Sequence, residues 1–284
     1  MNKINRIYKI LHKEYGSQGW WPRINNQNLL CEYNIGSPKT DEERLEIAIG
    51  AILTQGTSWY PGVVRALQQL KLGKILTKQE QEELKKAEII QKEISGNKQK
   101  ITEDNILTQN TSWNNVEKAL YNLRKNDMLN VDKLRLIDIK KLAELIKSSG
   151  YNNQKARKIK EFIKFLDSGE DISRKNLLSV WGIGKETADS MLLYAYNKSY
   201  FVIDSYTKRI FSRLGFCDEN INYDELQQLF HRNLDKDFKL FKEYHALIVE
   251  HAKSFCKKKP ECNNCPLRKQ CIYYKNNCES LINK

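Results

Sequence analysis

Four of the seven cysteines lie together near the end of the sequence, in the stretch CKKKPECNNCPLRKQC. In a chain expected to stay in a reducing compartment, clustered thiols are more typical of a metal site than of disulfides. Only the middle pair has the spacing of a zinc knuckle, and each outer cysteine lies six positions away. A loop of that width suits a [4Fe–4S] cluster better than a single zinc ion. The predicted ligands are Cys256, Cys262, Cys265 and Cys271, with zinc as the less favoured metal.

The segment LLSVWGIGKETADSML contains a second candidate site, in which two glycines flank one apolar residue between two helical patterns. The pattern predicts a helix ending at Val180, a turn over residues 181–184, and a second helix restarting at Lys185 or Glu186. Glycines permit such a tight turn and leave amide groups exposed at the start of the second helix, where they bind phosphate oxygens without reading base sequence. The predicted backbone-contacting residues are Gly182, Ile183, Gly184, Lys185 and Thr187.

The charge balance favours a polyanionic partner. Lysine and arginine number 48 against 35 acidic residues, which gives a formal net charge of +13 at pH 7. Such a surplus attracts nucleic acid or an anionic membrane, although a lysine-rich proteome would give the same composition. The sequence shows neither a run of 18 apolar residues nor a signal-peptide pattern. We therefore expect a cytoplasmic, nucleoid-associated protein with no membrane partner.

Most of the sequence predicts helices. Apolar residues recur at three- and four-residue spacing in segments such as LEIAIGAILTQ, KARKIKEFIKFL and YTKRIFSRLG. Only SYFVI, residues 199–203, looks like a strand, so the expected fold class is all-α. Residues 73–105 are polar and rich in charge, and they predict a solvated helix followed by a linker.

An octet occurs twice: ILTQGTSW covers residues 52–59, and ILTQNTSW covers residues 106–113, an offset of 54 positions. The first copy follows the apolar helical pattern LEIAIGA. The second follows the charged stretch KQKITEDN and leads into another helical pattern. Deleting residues 56–109 would join the helix before the first copy to the helix after the second. We therefore predict an insertion or partial duplication near residues 56–109.

The segment 177–215 resembles the helix-hairpin-helix and following catalytic helix of the endonuclease III superfamily of DNA glycosylases, and the cysteine string resembles its cluster loop. GIGKETAD, YNNQKARKIKEF, LTQNTSW and GWWP look most like the 3-methyladenine glycosylase branch. One departure is the spacing between the first two cysteines, five residues where the family more often has six. The resemblance implies two lobes: a six-helix lobe over residues 40–197 with the hairpin at 177–192, and a second lobe from residues 1–39 and 198–284 with the cluster loop at 256–271.

The resemblance also implies a catalytic role for Asp204, which by itself would be expected to cap the helix that follows it. Breaking the bond between base and sugar builds positive charge on the sugar, and a fixed carboxylate stabilises that charge and orients water. The base is flipped out of the duplex first, and the implied stacking residues are Trp20, Trp21 and either Trp113 or Trp59. N3-methyladenine is itself charged and leaves readily, which agrees with a site offering one aspartate and no paired carboxylate.

Two glutamines end the repeated LTQ strings. In the family, a glutamine at this place fills the gap that the flipped base leaves in the duplex. The apolar helix before Gln55 favours that residue for the role, with Trp113 near the pocket. The opposite choice is Gln109 with Trp59.

Glu186 occupies the position where strand-cutting members of the family carry a Schiff-base lysine, and a carboxylate cannot form an imine. Unless Lys185 replaces that lysine, the expected protein is a monofunctional base excision repair glycosylase, acting as a monomer on double-stranded DNA with a damaged base. Three alternatives remain open: a bifunctional glycosylase with lyase activity, a mismatch-specific uracil or thymine glycosylase, and a non-catalytic iron–sulfur protein that binds damaged DNA.

Overall fold

The computed structural model describes residues 2–56, 64–94 and 129–279, and most of them are helical. The first two ranges contain α1 (Lys3–Tyr15), α2 (Asp41–Leu53), α3 (Val64–Leu72) and α4 (Lys78–Ile94). The third range contains α5 (Val131–Leu136), α6 (Ile139–Leu145), α7 (Asn152–Asp167), α8 (Arg174–Ser179), α9 (Lys185–Ser190), α10 (Ser205–Arg213), α11 (Tyr223–Asn233), α12 (Phe238–Ser254) and α13 (Ile272–Tyr274). A π-helical segment, Met191–Ala195, continues α9. The predicted all-α class is confirmed.

Two short strands form the one ladder among the described residues. β1 (Arg23–Ile24) pairs antiparallel with β2 (Cys31–Glu32). The strand predicted at 199–203 is wrong, because side chains rather than a neighbouring strand satisfy its backbone. His231 accepts a hydrogen bond from the amide of Phe201 at 3.0 Å, and Gln227 donates to the carbonyl of Phe201 at 2.7 Å. The apolar alternation there reflects burial of an extended segment between helices.

Helix α2 is the buried helix that the first octet was expected to end. Thr40 and Glu43 form a capping box at its start, and its residues 45–53 are all buried. At its other end the ammonium of Lys155, only 1% exposed, donates to the carbonyl of Leu53 at 2.8 Å and to that of Ser149 at 2.6 Å. A helix leaves its last carbonyls without partners, so this lysine fixes the end of α2 against the start of α7.

The polar segment that begins at residue 73 is less solvated than predicted. Helix α4 lies within it, but Leu84 and Ala87 are buried, together with the carboxylate-bearing Glu83. One face of α4 therefore packs against the protein, since an amphipathic helix buries its apolar stripe. The expected linker lies outside the described residues.

The N-terminal helix packs against the longest helix of the last third of the chain. The hydroxyl of Tyr244 on α12 donates to the carbonyl of Ile4 on α1 at 2.9 Å, and both residues are buried. Helices α1 and α12, which are distant in the sequence, thus share one part of the core. The boundaries given above for two lobes remain a prediction.

A buried carboxylate joins the hairpin helices to α11. Asp189 on α9 is fully buried, and it accepts from Nε of Arg174 on α8 and from the amide of Gln227 on α11, both at 2.7 Å. The same guanidinium also reaches Asp224, whose side chain is 46% exposed. Buried charge is tolerated only when it is paired and hydrogen-bonded, so this cluster fixes how the hairpin sits on the rest of the fold.

We predict that Asp189→Ala lowers the free energy of unfolding by about 3–5 kcal/mol, because Arg174 and Gln227 lose their buried acceptor. Asp224→Ala removes the exposed partner of the same arginine and is expected to cost less than about 1 kcal/mol. Urea unfolding followed by circular dichroism measures both values. Equal losses in the two variants would contradict the role given to the buried carboxylate.

Candidate active site

Asp204 stands at the start of α10, where the sequence predicted a capping residue. Its Oδ1 accepts from the amide of Thr207 at 2.7 Å and from the Thr207 hydroxyl at 2.8 Å, so the capping prediction is confirmed. The side chain is 13% exposed, and its second oxygen takes no part in the cap. One carboxylate therefore holds the helix with one oxygen and offers the other to the site.

The second oxygen of Asp204 faces a histidine that the sequence analysis did not find. Nε2 of His245, on α12, lies 3.6 Å from Oδ2, and Nδ1 lies 2.7 Å from the hydroxyl of Tyr194. Burial raises the pKa of Asp204, but the interactions with His245 and with Thr207 outweigh it, so the pKa lies below its usual value. The carboxyl group is therefore ionised at neutral pH.

The two tryptophans of GWWP lie beside the pair formed by His245 and Tyr194. The ring of Trp20 is 6.1 Å from the ring of His245 in an edge-on arrangement, and the ring of Trp21 is 5.0 Å from that of Tyr194. Trp21 is buried at 8% exposure, whereas Trp20 is partly exposed and presents the more accessible face. Three other predicted residues lie outside the described ranges: Trp59, Gln109 and Trp113.

Gln55 lies against the hairpin. Its amide donates to the carbonyl of Gly182 at 3.1 Å and to the hydroxyl of Thr187 at 2.8 Å, and its own carbonyl accepts from the ammonium of Lys158 at 2.5 Å. Gly182 has φ of +83°, which explains the glycine, and the stem of Lys158 covers it. Three residues predicted to contact DNA are thus brought together by a chain of hydrogen bonds.

The turn itself matches its prediction. Helix α8 ends before Val180, and α9 begins at Lys185. Ile183 is buried under the turn, whereas Gly184 is exposed. Lys185 reaches Asp224 on α11 rather than Asp204.

Glu186 is close enough to Asp204 for the two charges to interact, and the single catalytic aspartate without a paired carboxylate stays a prediction. Burial among protein atoms, followed by the negative charge of Asp204, raises the pKa of Glu186 to about 7, while His245 acts in the opposite direction. The residue nevertheless remains exposed to solvent, which weakens this shift. At neutral pH Asp204 is therefore ionised and Glu186 is partly protonated, because two neighbouring carboxylates resist ionising together.

Two exposed aromatic residues flank the hairpin and were not assigned a role from the sequence. Trp181 is 45% exposed, and the guanidinium carbon of Arg157 stacks 4.0 Å from its ring centroid. Tyr151 is 71% exposed in a left-handed conformation, and its ring lies beside Gly56, next to Gln55. Exposed aromatic groups among cations are typical of nucleic-acid contacts. The YNNQKARK string contained this signal, since it joins Tyr151 to a run of basic residues.

The four clustered cysteines line one cavity, despite the shorter spacing of the first two. Its remaining walls are largely apolar, with Ile210, Leu214, Phe255 and Leu267 among them. A guanidinium nitrogen of Arg213 lies 3.2 Å from the sulfur of Cys256. Burial raises the pKa of Cys265 to about 11, and the charges of its neighbouring thiols add to the shift. Neighbouring thiols ionise together only when cations compensate their charge, and the cluster expected from the sequence stays a prediction.

One further contact ties the cysteine loop to the start of the chain. The hydroxyl of Tyr15, on α1, lies 2.8 Å from Nδ1 of His251, and Nε2 of that ring lies 3.6 Å from the sulfur of Cys265. The N-terminal helix, α12 and the loop therefore meet at this histidine.

The model of the HhH-GPD superfamily of base excision DNA repair proteins matches residues 104–236. The "Putative DNA repair glycosylase MJ1434" of Methanocaldococcus jannaschii is 38% identical over 282 residues, which cover 95% of this chain and 96% of that protein. Endonuclease III of Sulfolobus acidocaldarius is 32% identical over 184 residues, 62% of this chain and 82% of that enzyme.

A similar solved structure is the Helicobacter pylori 3-methyladenine DNA glycosylase bound to 1,N6-ethenoadenine. It is 25% identical to this chain with a TM-score of 0.53, and the match covers 88% of this chain and 96% of that enzyme. Among the helices described here, none combines the length and apolar character needed to cross a bilayer.

The Glu186 carboxyl gives the stability of the fold a pH dependence. Folded protein holds this proton up to pH about 7, whereas the unfolded chain releases it near 4.5, so its contribution to stability falls as pH rises through that window. Glu186→Gln has no such proton to lose. Its unfolding free energy relative to wild type should therefore increase between pH about 5 and about 8, by about 1 kcal/mol or less because solvent screens the side chain.

Urea unfolding at both pH values measures this change. Glu219→Gln, which alters an exposed carboxylate elsewhere, is the matched control and should show a smaller difference. A constant offset between Glu186→Gln and wild type at the two pH values would show that Glu186 is not protonated in the folded state.

Proposed function

The chain belongs to the HhH-GPD superfamily of base excision DNA repair proteins and is a DNA glycosylase, and we propose that it removes alkylated purines of the 3-methyladenine type by hydrolysis alone. The main support is the position of the partly exposed Trp20 ring, which lies beside His245. His245 in turn faces the ionised carboxylate of Asp204. The likeness to a solved 3-methyladenine glycosylase over 88% of the chain supports the same substrate class. Because the superfamily is enzymatic, the non-catalytic alternative is set aside.

The proposed reaction begins with an alkylated purine turned out of the duplex and stacked on Trp20. A cationic base gains about 0.5–2 kcal/mol from an aromatic face beyond what a neutral base gains, so the pocket selects charged adducts. As the glycosidic bond breaks, positive charge develops on C1′ and the ring oxygen. The free oxygen of Asp204 stabilises that charge and orients water, which adds to C1′ and leaves an abasic site.

The absence of strand cutting follows from where the amines lie. Glu186, not a lysine, occupies the hairpin position of the family's Schiff-base lysine, and Lys185 is paired with Asp224. An imine with the sugar requires an unpaired amine within reach of C1′. The proposed enzyme therefore stops at base removal.

The proposed DNA surface is formed by the hairpin and the residues around it. Exposed backbone at Gly184 and the ammonium groups of Lys158 and Lys185 suit phosphate oxygens, which position a duplex without reading it. Gln55 lies at the centre of this surface, where it can enter the gap left by the flipped base once it releases the hairpin. Phosphate contacts of this kind weaken steeply with salt.

We propose that Cys256, Cys262, Cys265 and Cys271 hold a [4Fe–4S] cluster. The support is the shared cavity, the compensating Arg213 and the similarity to endonuclease III. When bound, the cluster would join the four cysteines of the loop to one another beside α10, whose Arg213 contacts Cys256. The basic residues of the loop are then held at one edge of the protein, available to phosphates. Monomeric state and cytoplasmic location remain predictions.

Asp204→Asn tests the catalytic assignment. Asparagine caps a helix as well as aspartate does, so the fold should persist, while the charge that stabilises the sugar cation is lost. We expect wild type to release 3-methyladenine from methylated duplex DNA, and single-turnover release to fall about 100-fold or more in the variant. Base release is measured by chromatography, and abasic sites by cleavage in hot alkali.

Other outcomes of that assay select other functions. Intact methylated DNA with release of uracil or thymine from mismatches would replace the alkyl-purine assignment by the mismatch one. A covalent adduct trapped by borohydride would establish a bifunctional enzyme. Equal rates for wild type and Asp204→Asn would remove Asp204 from the chemistry.

Metal analysis tests the cluster. Protein purified without oxygen should contain about four iron and four sulfide per chain, with the visible absorption of an iron–sulfur centre. Cys262→Ser should lower the iron content, whereas Cys217→Ser, a cysteine outside the loop, should keep it. Stoichiometric zinc in place of iron would contradict the proposal.

A further inference from the structure

His245 carries a buried polar atom that the fold leaves without a hydrogen bond. The residue is 5% exposed, and its Nε2 has no hydrogen-bond partner in the described part of the chain. Leaving such an atom unsatisfied costs free energy, so an unpaired one aimed at a site calls for a functional explanation. The nearest acceptor oxygen is Oδ2 of Asp204, 3.6 Å away.

The protonation of the imidazole follows from its other contact. The hydroxyl of Tyr194 lies 2.7 Å from Nδ1, and the carboxylate oxygen of Asp204 opposite Nε2 can only accept, so Nδ1 accepts the proton of the tyrosine hydroxyl. With Nδ1 accepting, the ring proton sits on Nε2, because the hydrogen bond made by one ring nitrogen sets the state of the other. His245 therefore points an N–H at Asp204.

We infer that His245 is a positioning residue, which fixes the catalytic orientation of Asp204 through Nε2–H and links it, through Tyr194, to the base-stacking pocket. Thr207 already fixes Oδ1, so a second donor on Oδ2 locks the plane of the carboxylate. The 3.6 Å separation shortens to a hydrogen bond when DNA fills the site, as contacts in free enzymes commonly do. This inference rests on the proposed role of Asp204, but not on which base is removed.

The pocket end of the link is aromatic. Trp20 meets the His245 ring edge-on, and Trp21 packs against Tyr194 at 5.0 Å. Tyr194 belongs to the π-helical segment after α9, a local widening often found at functional sites. A base stacked on Trp20 would therefore contact a ring that packs against His245, the residue that positions Asp204.

Two substitutions separate the two ring nitrogens. The amide nitrogen of glutamine reaches the place of Nε2, whereas that of asparagine reaches only the place of Nδ1. The probes are duplexes with a cationic pyrrolidine or a neutral tetrahydrofuran in place of one nucleotide. Neither carries a base, so their affinity ratio reports how well the Asp204 carboxylate faces a sugar cation.

Wild type should prefer the pyrrolidine duplex. His245→Asn should lose about 10-fold or more of that preference and a similar factor in single-turnover base release, whereas His245→Gln should stay within about threefold. Both variants should bind the neutral duplex like wild type. Asp204→Asn marks complete loss of the preference, and His12→Gln, at the surface, controls for general effects.

An unchanged preference in His245→Asn overturns the inference. So does equal loss in both variants together with weaker binding of the neutral duplex, which would mean a purely structural role. If His245→Asn does not fold, Tyr194→Phe provides the test. This variant keeps the ring packing but removes the hydroxyl that hydrogen-bonds to Nδ1 of His245. An unchanged preference for the pyrrolidine duplex in Tyr194→Phe overturns the inference. A failed alkyl-base assay with an intact pyrrolidine preference would leave it standing.

Discussion

A charged carboxylate can be kept in the interior only if its oxygens are partnered, and Asp204 shows how this requirement organises the surrounding fold. One oxygen closes the first turn of α10 through Thr207. The other is approached by His245 from α12, and the ring of His245 is in turn held by Tyr194 after the hairpin. Three elements must therefore meet at one point before the carboxylate is stable as an anion, and the same meeting creates the site.

The polar groups of the hairpin and of the helix end beside it also have hydrogen-bond partners, here lysine ammonium and glutamine amide groups. Lys155 satisfies the end of α2, which places Gln55 where its amide completes the turn at Gly182. Asp189 then joins α8 and α9 to α11. A backbone turn that must leave amides open for phosphates depends on side chains for its support, because its own groups are not available.

The electrostatics of the site differ from those of the surface. The overall charge of +13 draws the protein toward DNA without selecting a damaged base. In the proposed function, selection depends on a small group of aromatic rings beside the Asp204 anion, where low solvent exposure strengthens the attraction for a cationic base and sugar. Glu186 adds a second carboxyl that is partly protonated near neutral pH, so the site carries less negative charge than two fully ionised carboxylates would.

Local sequence determined the helical class, the hairpin turn, the cap at Asp204 and the cysteine loop, because each depends on spacing within a few residues. Local sequence gave wrong predictions at two segments where the tertiary packing differs from what the local pattern indicates. The apolar run at 199–203 packs against side chains of α11 and is not paired with another strand. Helix α4 buries one face, although its high charge content predicted a solvated helix.

Only the tertiary structure decided the partners of Asp204. His245 lies on α12, whereas Glu186 and Tyr194 lie on α9 and its π-helical continuation, and no pattern within one helix shows that these side chains meet near Asp204. The same holds for Lys155. The sequence shows only one more basic residue of a basic helix, whereas the structure shows that it is buried at the end of α2. A sequence determines which residue types lie at which positions on each element. The packing of elements distant in the chain determines which of those residues share a solvent-excluded site, and hence their charge and chemistry.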